Sequence, residues 1–224
     1  MNGAAGAPRG GRFPGFDVAS QAGHWDPVTA GVVLSRLGMP PDLRFFSPDE
    51  EAIATALCDQ LLDQHADAKV PVVNLIDARL AEQETDGWHY ADMPEDGVAW
   101  RLSLAALDAD AIARYGMGFA GCAADDQAKL IQAVQDMGSG DWHGLGAGHV
   151  WSLWTRYACT AFYASPSAWD EIGFPGPAYP RGYKNPGVGA REPFEVRDAR
   201  PAEDPVRGDH RQAAGPLLAQ GGDR

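Results

Sequence analysis

Residues 149–165 constrain the fold of this 224-residue chain more than any other segment. They read HVWSLWTRYACTAFYAS, and Arg156 is the only one with a full charge at neutral pH. Written as a helix, the segment has apolar residues on two sides, with Val150, Leu153, Trp154, Tyr157 and Ala161 on one face and Trp151, Ala158 and Phe162 well round from it. A helix that is apolar around its circumference must be buried on more than one side.

Two arrangements would bury this segment. It is either the central helix of its own domain, or it packs against its own domain on one side and against a partner on the other. Large aromatic side chains concentrate at protein interfaces, and six modest amphipathic helices are few to encircle such a helix. The partner arrangement is therefore slightly favoured, and both stay open at this point.

Helix start and stop signals are clear in the first third of the chain. Pro27 follows an aspartate and begins a helix that Gly38 ends. Ser47 and Glu50 form a capping box, in which the hydroxyl and the carboxylate each accept an N–H that has no helical partner. The second helix is predicted to run to about His65.

Four further helices complete the prediction. Pro71 begins one, and others are predicted over 98–107, 108–115 and 125–136, in addition to the aromatic segment. No stretch shows sustained alternation of polar with β-branched residues, so strands have little support. We predict an all-α fold, a small irregular domain of about six to seven helices.

Composition divides the chain into three parts. Residues 1–25 and the Pro/Gly-rich residues 185–224 lack a periodic apolar pattern, so they cannot bury enough surface to offset their ordering entropy. We therefore predict an extended N-terminal segment over 1–25, a helical domain over 26–184 and an extended or disordered tail over 185–224.

The chain is strongly acidic, with 31 Asp and Glu against 18 Lys and Arg and a formal net charge of −13. Residues 41–140 alone hold 19 acidic against six basic side chains. This balance argues against nucleic acid or an anionic membrane surface as a partner. No apolar run reaches the length of about 18 residues that a membrane span needs, so no membrane span is predicted.

Aromatic residues are concentrated where the charge is balanced, because residues 141–184 hold 10 of the 21 in the chain. We predict that this part carries the surface that binds a partner. The predicted interface residues are Trp151, Trp154, Tyr157, Phe162, Tyr163, Trp169, Phe174, Tyr179, Arg181 and Tyr183.

The sequence offers no recognisable catalytic or metal-binding pattern. The six histidines show neither HxxxH nor HExxH spacing, and there is no GxSxG turn. Three widely spaced cysteines fit neither a disulfide scaffold nor a zinc site, and Cys58 and Cys159 are predicted to be small core residues. We predict no catalytic, cofactor-binding or metal-binding residue in this chain. One alternative keeps His143 or His149 as a base beside the glycines of residues 144–148.

Several short motifs, in this order and spacing, resemble the gluconate 2-dehydrogenase subunit 3 family over about residues 44–180. They are FFSPDE from Phe45, LID from Leu75, LAALD from Leu104, the stretch from Phe119 through Asp126 and Gln127 to Leu130, and WDEIGFPGP from Trp169.

The resemblance implies a small, helical, non-catalytic subunit that binds and stabilises a large flavoprotein of the glucose-methanol-choline class, in a chaperone-like role. The large subunit would hold FAD and oxidise a hydroxyl of a sugar, sugar acid, glycoside or polyol. A cytochrome c or another acceptor would receive the electrons. The chain is then an accessory subunit of a heteromeric oxidoreductase and not itself an enzyme. The alternative is a stand-alone helical binding or scaffold module without a redox role.

Many relatives begin with a twin-arginine export signal, and residues 1–15 of this sequence show none. We therefore expect a cytoplasmic complex. The alternative is a periplasmic complex, exported together with a partner that bears the signal. Tyr179, Arg181 and Tyr183 follow a proline-rich loop and are the residues to test for reaching the rim of the partner's flavin pocket.

Overall fold

The computed structural model describes residues 12–64 and 70–201, which divide into two compact units. The helical unit covers residues 27–168, and the terminal unit combines residues 12–26 with residues 169–201. Residues 1–11 and 202–224, which belong to the predicted N-terminal segment and tail, lie outside the described residues, as does His65.

Seven α-helices dominate the described residues, and the predicted all-α fold is confirmed. The helices are α1 Pro27–Ser35, α2 Pro48–Leu62, α3 Val72–Ala81, α4 Asp96–Tyr115, α5 Ala124–Asp136, α6 Ala147–Ala164 and α7 Pro166–Ile172. Two short 3-10 helices cover Val18–His24 and Phe119–Gly121. The strands β1 Asp141–Trp142 and β2 Leu145–Gly146 form a small antiparallel hairpin just before α6.

The predicted helix starts hold at α1 and α2. Helix α1 begins at Pro27, and the capping box of α2 is complete. The Glu50 N–H donates to Ser47 Oγ over 3.3 Å, while the Ser47 N–H donates to Glu50 Oε2 over 2.8 Å. Helix α2 ends at Leu62, where Asp63 adopts a left-handed conformation.

The prediction of two helices over 98–107 and 108–115 is wrong, because one continuous helix, α4, covers both. No glycine or proline interrupts the sequence between Val98 and Tyr115. Asp108 does not cap a new helix, since its Oδ1 accepts the N–H of Phe119 over 2.7 Å. The helix ends as predicted at Tyr115, with Gly116 in a left-handed conformation.

Helix α6 is the central helix of the helical unit and is in contact with α2, α3, α4 and α5. Trp154 and Tyr157 are almost completely buried, and α4 satisfies the polar atoms of both. The indole N–H of Trp154 donates to Ser103 Oγ over 3.0 Å, and the Tyr157 hydroxyl donates to Asp96 Oδ2 over 2.6 Å. The first of the two arrangements proposed for this segment is therefore the one observed.

A buried carboxylate on α3 holds the loop that leads into α2. Asp77 is fully buried and accepts three backbone N–H groups. Its Oδ1 accepts the N–H of Arg44 over 2.6 Å, and its Oδ2 accepts those of Phe45 and Phe46 over 2.8 and 2.7 Å. These bonds fix the loop, so that Phe46 packs edge-to-face on Trp100 in the core.

The terminal unit joins residues from opposite ends of the chain. Arg12 forms an ion pair with Asp198, and its carbonyl accepts the N–H of Ala199 over 2.7 Å. The N–H of Val18 donates to Asp170 Oδ1 over 2.6 Å. Within residues 12–26 the chain forms a 3-10 helix, whereas the sequence analysis expected an extended segment.

We expect the substitution Asp77→Ala to lower the free energy of unfolding by about 2–4 kcal/mol, because it leaves three backbone donors without their acceptor. Urea unfolding in dilute solution, followed by tryptophan fluorescence, measures the change. Asp125→Ala removes a carboxylate exposed in the first turn of α5 and serves as the matched control, with an expected loss of about 0.3–1 kcal/mol. Equal losses in the two variants would contradict the role assigned to Asp77.

The capping box predicts a specific pH dependence. Partial burial disfavours the charged form of Glu50, but hydrogen bonds from Ser47 and Arg101 outweigh this and lower the pKa of Glu50 below its ordinary value. Because the folded-state pKa is lowered, the carboxylate stabilises the fold above the ordinary glutamate pKa, and this stability is lost as the pH falls through the lowered value.

The stability difference between the wild type and Glu50→Gln should therefore shrink as the pH is lowered from neutral to below the ordinary glutamate range. Urea unfolding at a series of pH values measures it. Glu51→Gln, in the same first turn of α2, is the control for the general effect of a carboxylate at a helix start. A difference that stays constant across the pH range would exclude this role for Glu50.

Candidate partner interface

Three of the five predicted interface residues on α6 belong to the core of the chain itself. Trp154, Tyr157 and Phe162 are all buried in the helical unit. Trp142 and Trp100 pack edge-to-face on Trp154 and Tyr157, with ring centroids 5.6 and 5.9 Å apart. Their side chains are not available surface, which corrects the prediction that they face a partner.

A charged network closes over the buried end of Tyr157. Burial, together with the hydrogen bond to Asp96, raises the pKa of Tyr157, so the hydroxyl stays protonated. The guanidinium groups of Arg79 and Arg156 lie over its ring and both form ion pairs with Asp86. Arg156, the charged residue of the aromatic segment, thus bonds to residues of the helical unit itself.

Two predicted interface residues of α6 remain accessible. Trp151 is half-buried, and Tyr163 is 46% exposed next to the buried Phe162. The ring of Tyr163 meets that of Phe162 edge-to-face at 5.1 Å. Whether Trp151 or Tyr163 contacts a partner stays a prediction.

The remaining predicted interface residues lie in the terminal unit. Trp169 is buried and packs edge-to-face on Phe174, whereas Tyr179 and Tyr183 are exposed. Arg181 is partly buried, with its guanidinium 4.1 Å above the Phe194 ring and a hydrogen bond of 3.0 Å to Gln21. Tyr179 and Tyr183 are therefore the members of this group with available rings.

An exposed apolar surface that was not among the predicted interface residues lies on α4 of the helical unit. The outer stripe of α4 consists of Val98, Leu102, Ala105, Ala109 and Ile112. All five residues are exposed, and the three larger side chains are about half accessible to solvent. Sequence analysis missed this stripe because its 4-3-4-3 spacing lies on one face only when α4 is one continuous helix.

A second exposed apolar face lies on α1, where Val28 and Val32 are exposed and one helical turn apart. Helix α1 carries no charged residue between Pro27 and Ser35. The third valine of α1, Val33, is buried.

The two histidines considered as bases are each paired with a carboxylate. His143 Nε2 lies 2.8 Å from Asp110 Oδ1, and His149 Nδ1 lies 2.9 Å from Asp92. The imidazole of His149 also stacks on the Tyr90 ring at 3.7 Å. In the described part of the chain, no group of three or more His, Cys, Asp or Glu side chains could hold a metal ion.

One of the two cysteines predicted to be core residues is exposed instead. Cys58 is buried as predicted, and burial raises the pKa of its thiol, but Cys159 is exposed on α6 and not in the core. Cys122 is buried after the second 3-10 helix.

Across residues 12–64 and 70–201, none of the helices combines the length and apolarity that a bilayer span requires.

Comparison with known families identifies the chain. The sequence profile described as gluconate 2-dehydrogenase subunit 3 matches residues 48–176, which is more than half of the sequence. A search of curated proteins and a search of solved structures found no match. The matched region contains all of α2, the Asp77 carboxylate, and all of α4, α5 and α6. The chain therefore belongs to the gluconate 2-dehydrogenase subunit 3 family, whose members are small subunits of sugar dehydrogenase complexes.

Proposed function

We propose that this chain is a non-catalytic small subunit that binds and stabilises the FAD-dependent catalytic subunit of a dehydrogenase. The catalytic subunit would be a flavoprotein of the glucose-methanol-choline class that oxidises a hydroxyl group of a sugar, sugar acid, glycoside or polyol. In this proposal FAD and substrate bind to the large subunit, and an acceptor such as a cytochrome c takes the electrons.

One observation carries the proposal, namely the outer stripe of α4. A helix whose outward face presents half-accessible Val98, Leu102 and Ile112 to water loses the favourable free energy that burial of these side chains would bring. Contiguous exposed apolar surface of this kind typically marks a protein interaction site. Membership of a family of complex subunits supports the same conclusion independently.

The stabilising role follows from the same surface. A chain with exposed apolar stripes associates with itself or with other proteins until its partner covers them. The large subunit would in turn gain stability by mass action, since anything that binds only the folded state shifts folding toward that state.

We expect an adjacent reading frame to encode an FAD-binding protein, and we expect the yield of soluble small subunit to rise when the two are co-expressed. A tag on the small subunit should then retain the flavoprotein, recognised by the absorbance spectrum of bound flavin. The tagged subunit expressed without the flavoprotein is the control.

Three outcomes would each contradict the proposal. They are an adjacent reading frame that encodes no FAD-binding protein, a flavoprotein that does not co-purify, and a tagged subunit that oxidises sugars without any flavoprotein. A chain that is equally soluble with and without the flavoprotein, yet binds it, would exclude only the stabilising role.

A further inference from the structure

Two ionic side chains beside the outer stripe of α4 are bonded to other groups of the helical unit. Arg101 donates to Glu50 Oε2 over 2.5 Å and to the Phe45 carbonyl, and its guanidinium lies 4.2 Å above the Phe45 ring. Asp108 accepts the N–H of Phe119. Because both side chains bond to groups of the helical unit, neither crosses the stripe. The stripe therefore remains apolar.

The spacing and the side-chain sizes of the stripe suit packing against another helix. Its residues recur with the average spacing of 3.5 that interdigitating helices use. Ala105 and Ala109 form a shallow centre, with the larger Leu102 toward one end and Ile112 toward the other. Small side chains at the centre of a contact let a second helix approach to about 8 Å between axes.

The negative charge of the chain indicates what kind of helix binds the stripe. The stripe lies within residues 41–140, the block that holds 19 acidic against six basic side chains. Two copies of this chain joined through α4 would bring two such acidic blocks together, and like-charge juxtaposition opposes association. A different protein, with basic residues beside an apolar helical face, complements this surface.

The geometry points to the outer stripe of α4 as the docking surface for an amphipathic helix of the catalytic flavoprotein, a helix with an apolar face and basic flanks. This inference rests on the proposed function, because it names the surface through which the small subunit binds its large partner. It moves the contact from the aromatic residues of α6 to the side of α4 that faces away from them.

The double variant Leu102→Ala, Ile112→Ala tests the surface without disturbing the fold, since both side chains are about half exposed and alanine favours helix. The matched control is Val28→Ala, Val32→Ala, which removes exposed apolar atoms from α1. The co-purified complex is immobilised through a tag on the flavoprotein, and the loss of the small subunit into buffer is followed with time.

We expect the α4 double variant to dissociate about 30-fold faster than the wild type, and the α1 control to dissociate at nearly the wild-type rate. A second variant, Ala105→Glu, places a negative charge at the centre of the stripe and should abolish co-purification. Raising the ionic strength should speed dissociation of the wild-type complex, because the basic flanks of the partner helix are then screened.

The outcomes separate the two proposals. If the wild-type chain retains no flavoprotein, the proposed function fails. If it does, but the α4 double variant dissociates like the control, the docking surface is elsewhere and the inference is overturned. Light scattering tests whether a second copy of this chain binds the stripe instead. If the wild type is a dimer that the α4 variants convert to monomers, and flavoprotein binding is unchanged, the stripe is a dimer interface and the inference is overturned.

Discussion

Two hydrogen bonds inside the core determine how α4 lies against α6. Ser103 and Asp96, which accept from Trp154 and Tyr157, are seven residues apart and therefore on the same face of α4. Leaving either buried donor without an acceptor would cost about 1–3 kcal/mol, so these bonds fix the face that α4 turns inward. Helical geometry then sends the outer stripe to the opposite side. The exposure of that stripe is thus a consequence of how the aromatic core is satisfied.

The motifs that identify the family mostly build the scaffold. Ser47 and Glu50 start α2, Asp77 holds the loop before it, and Asp108 secures the backbone at Phe119. The larger residues of the outer stripe lie outside these motifs. Family membership therefore accounts well for the fold, while the surface that distinguishes a subunit from a free-standing domain has to be read from the structure.

Local signals were sufficient to predict most of the helices, because caps, prolines and terminal glycines act within a few residues of the helix end they define. The sequence could not decide how completely α6 is buried, since this depends on how its neighbours pack around it. Asp77 bonds to residues more than 30 positions away, and Arg12 pairs with Asp198, so neither contact has a local signature. The outer stripe was hidden for a different reason, namely that splitting α4 at Leu107 breaks its periodicity.

The accessibility of α4 in the free chain and in the complex tests the central claim most directly. With the exposed Cys159 replaced by serine, the variants Ala109→Cys on α4 and Ala128→Cys on the exposed side of α5 each supply one reactive thiol. We predict that a maleimide modifies both readily in the free chain, and that the flavoprotein protects position 109 but not position 128. Equal modification of position 109 with and without the flavoprotein would contradict the account.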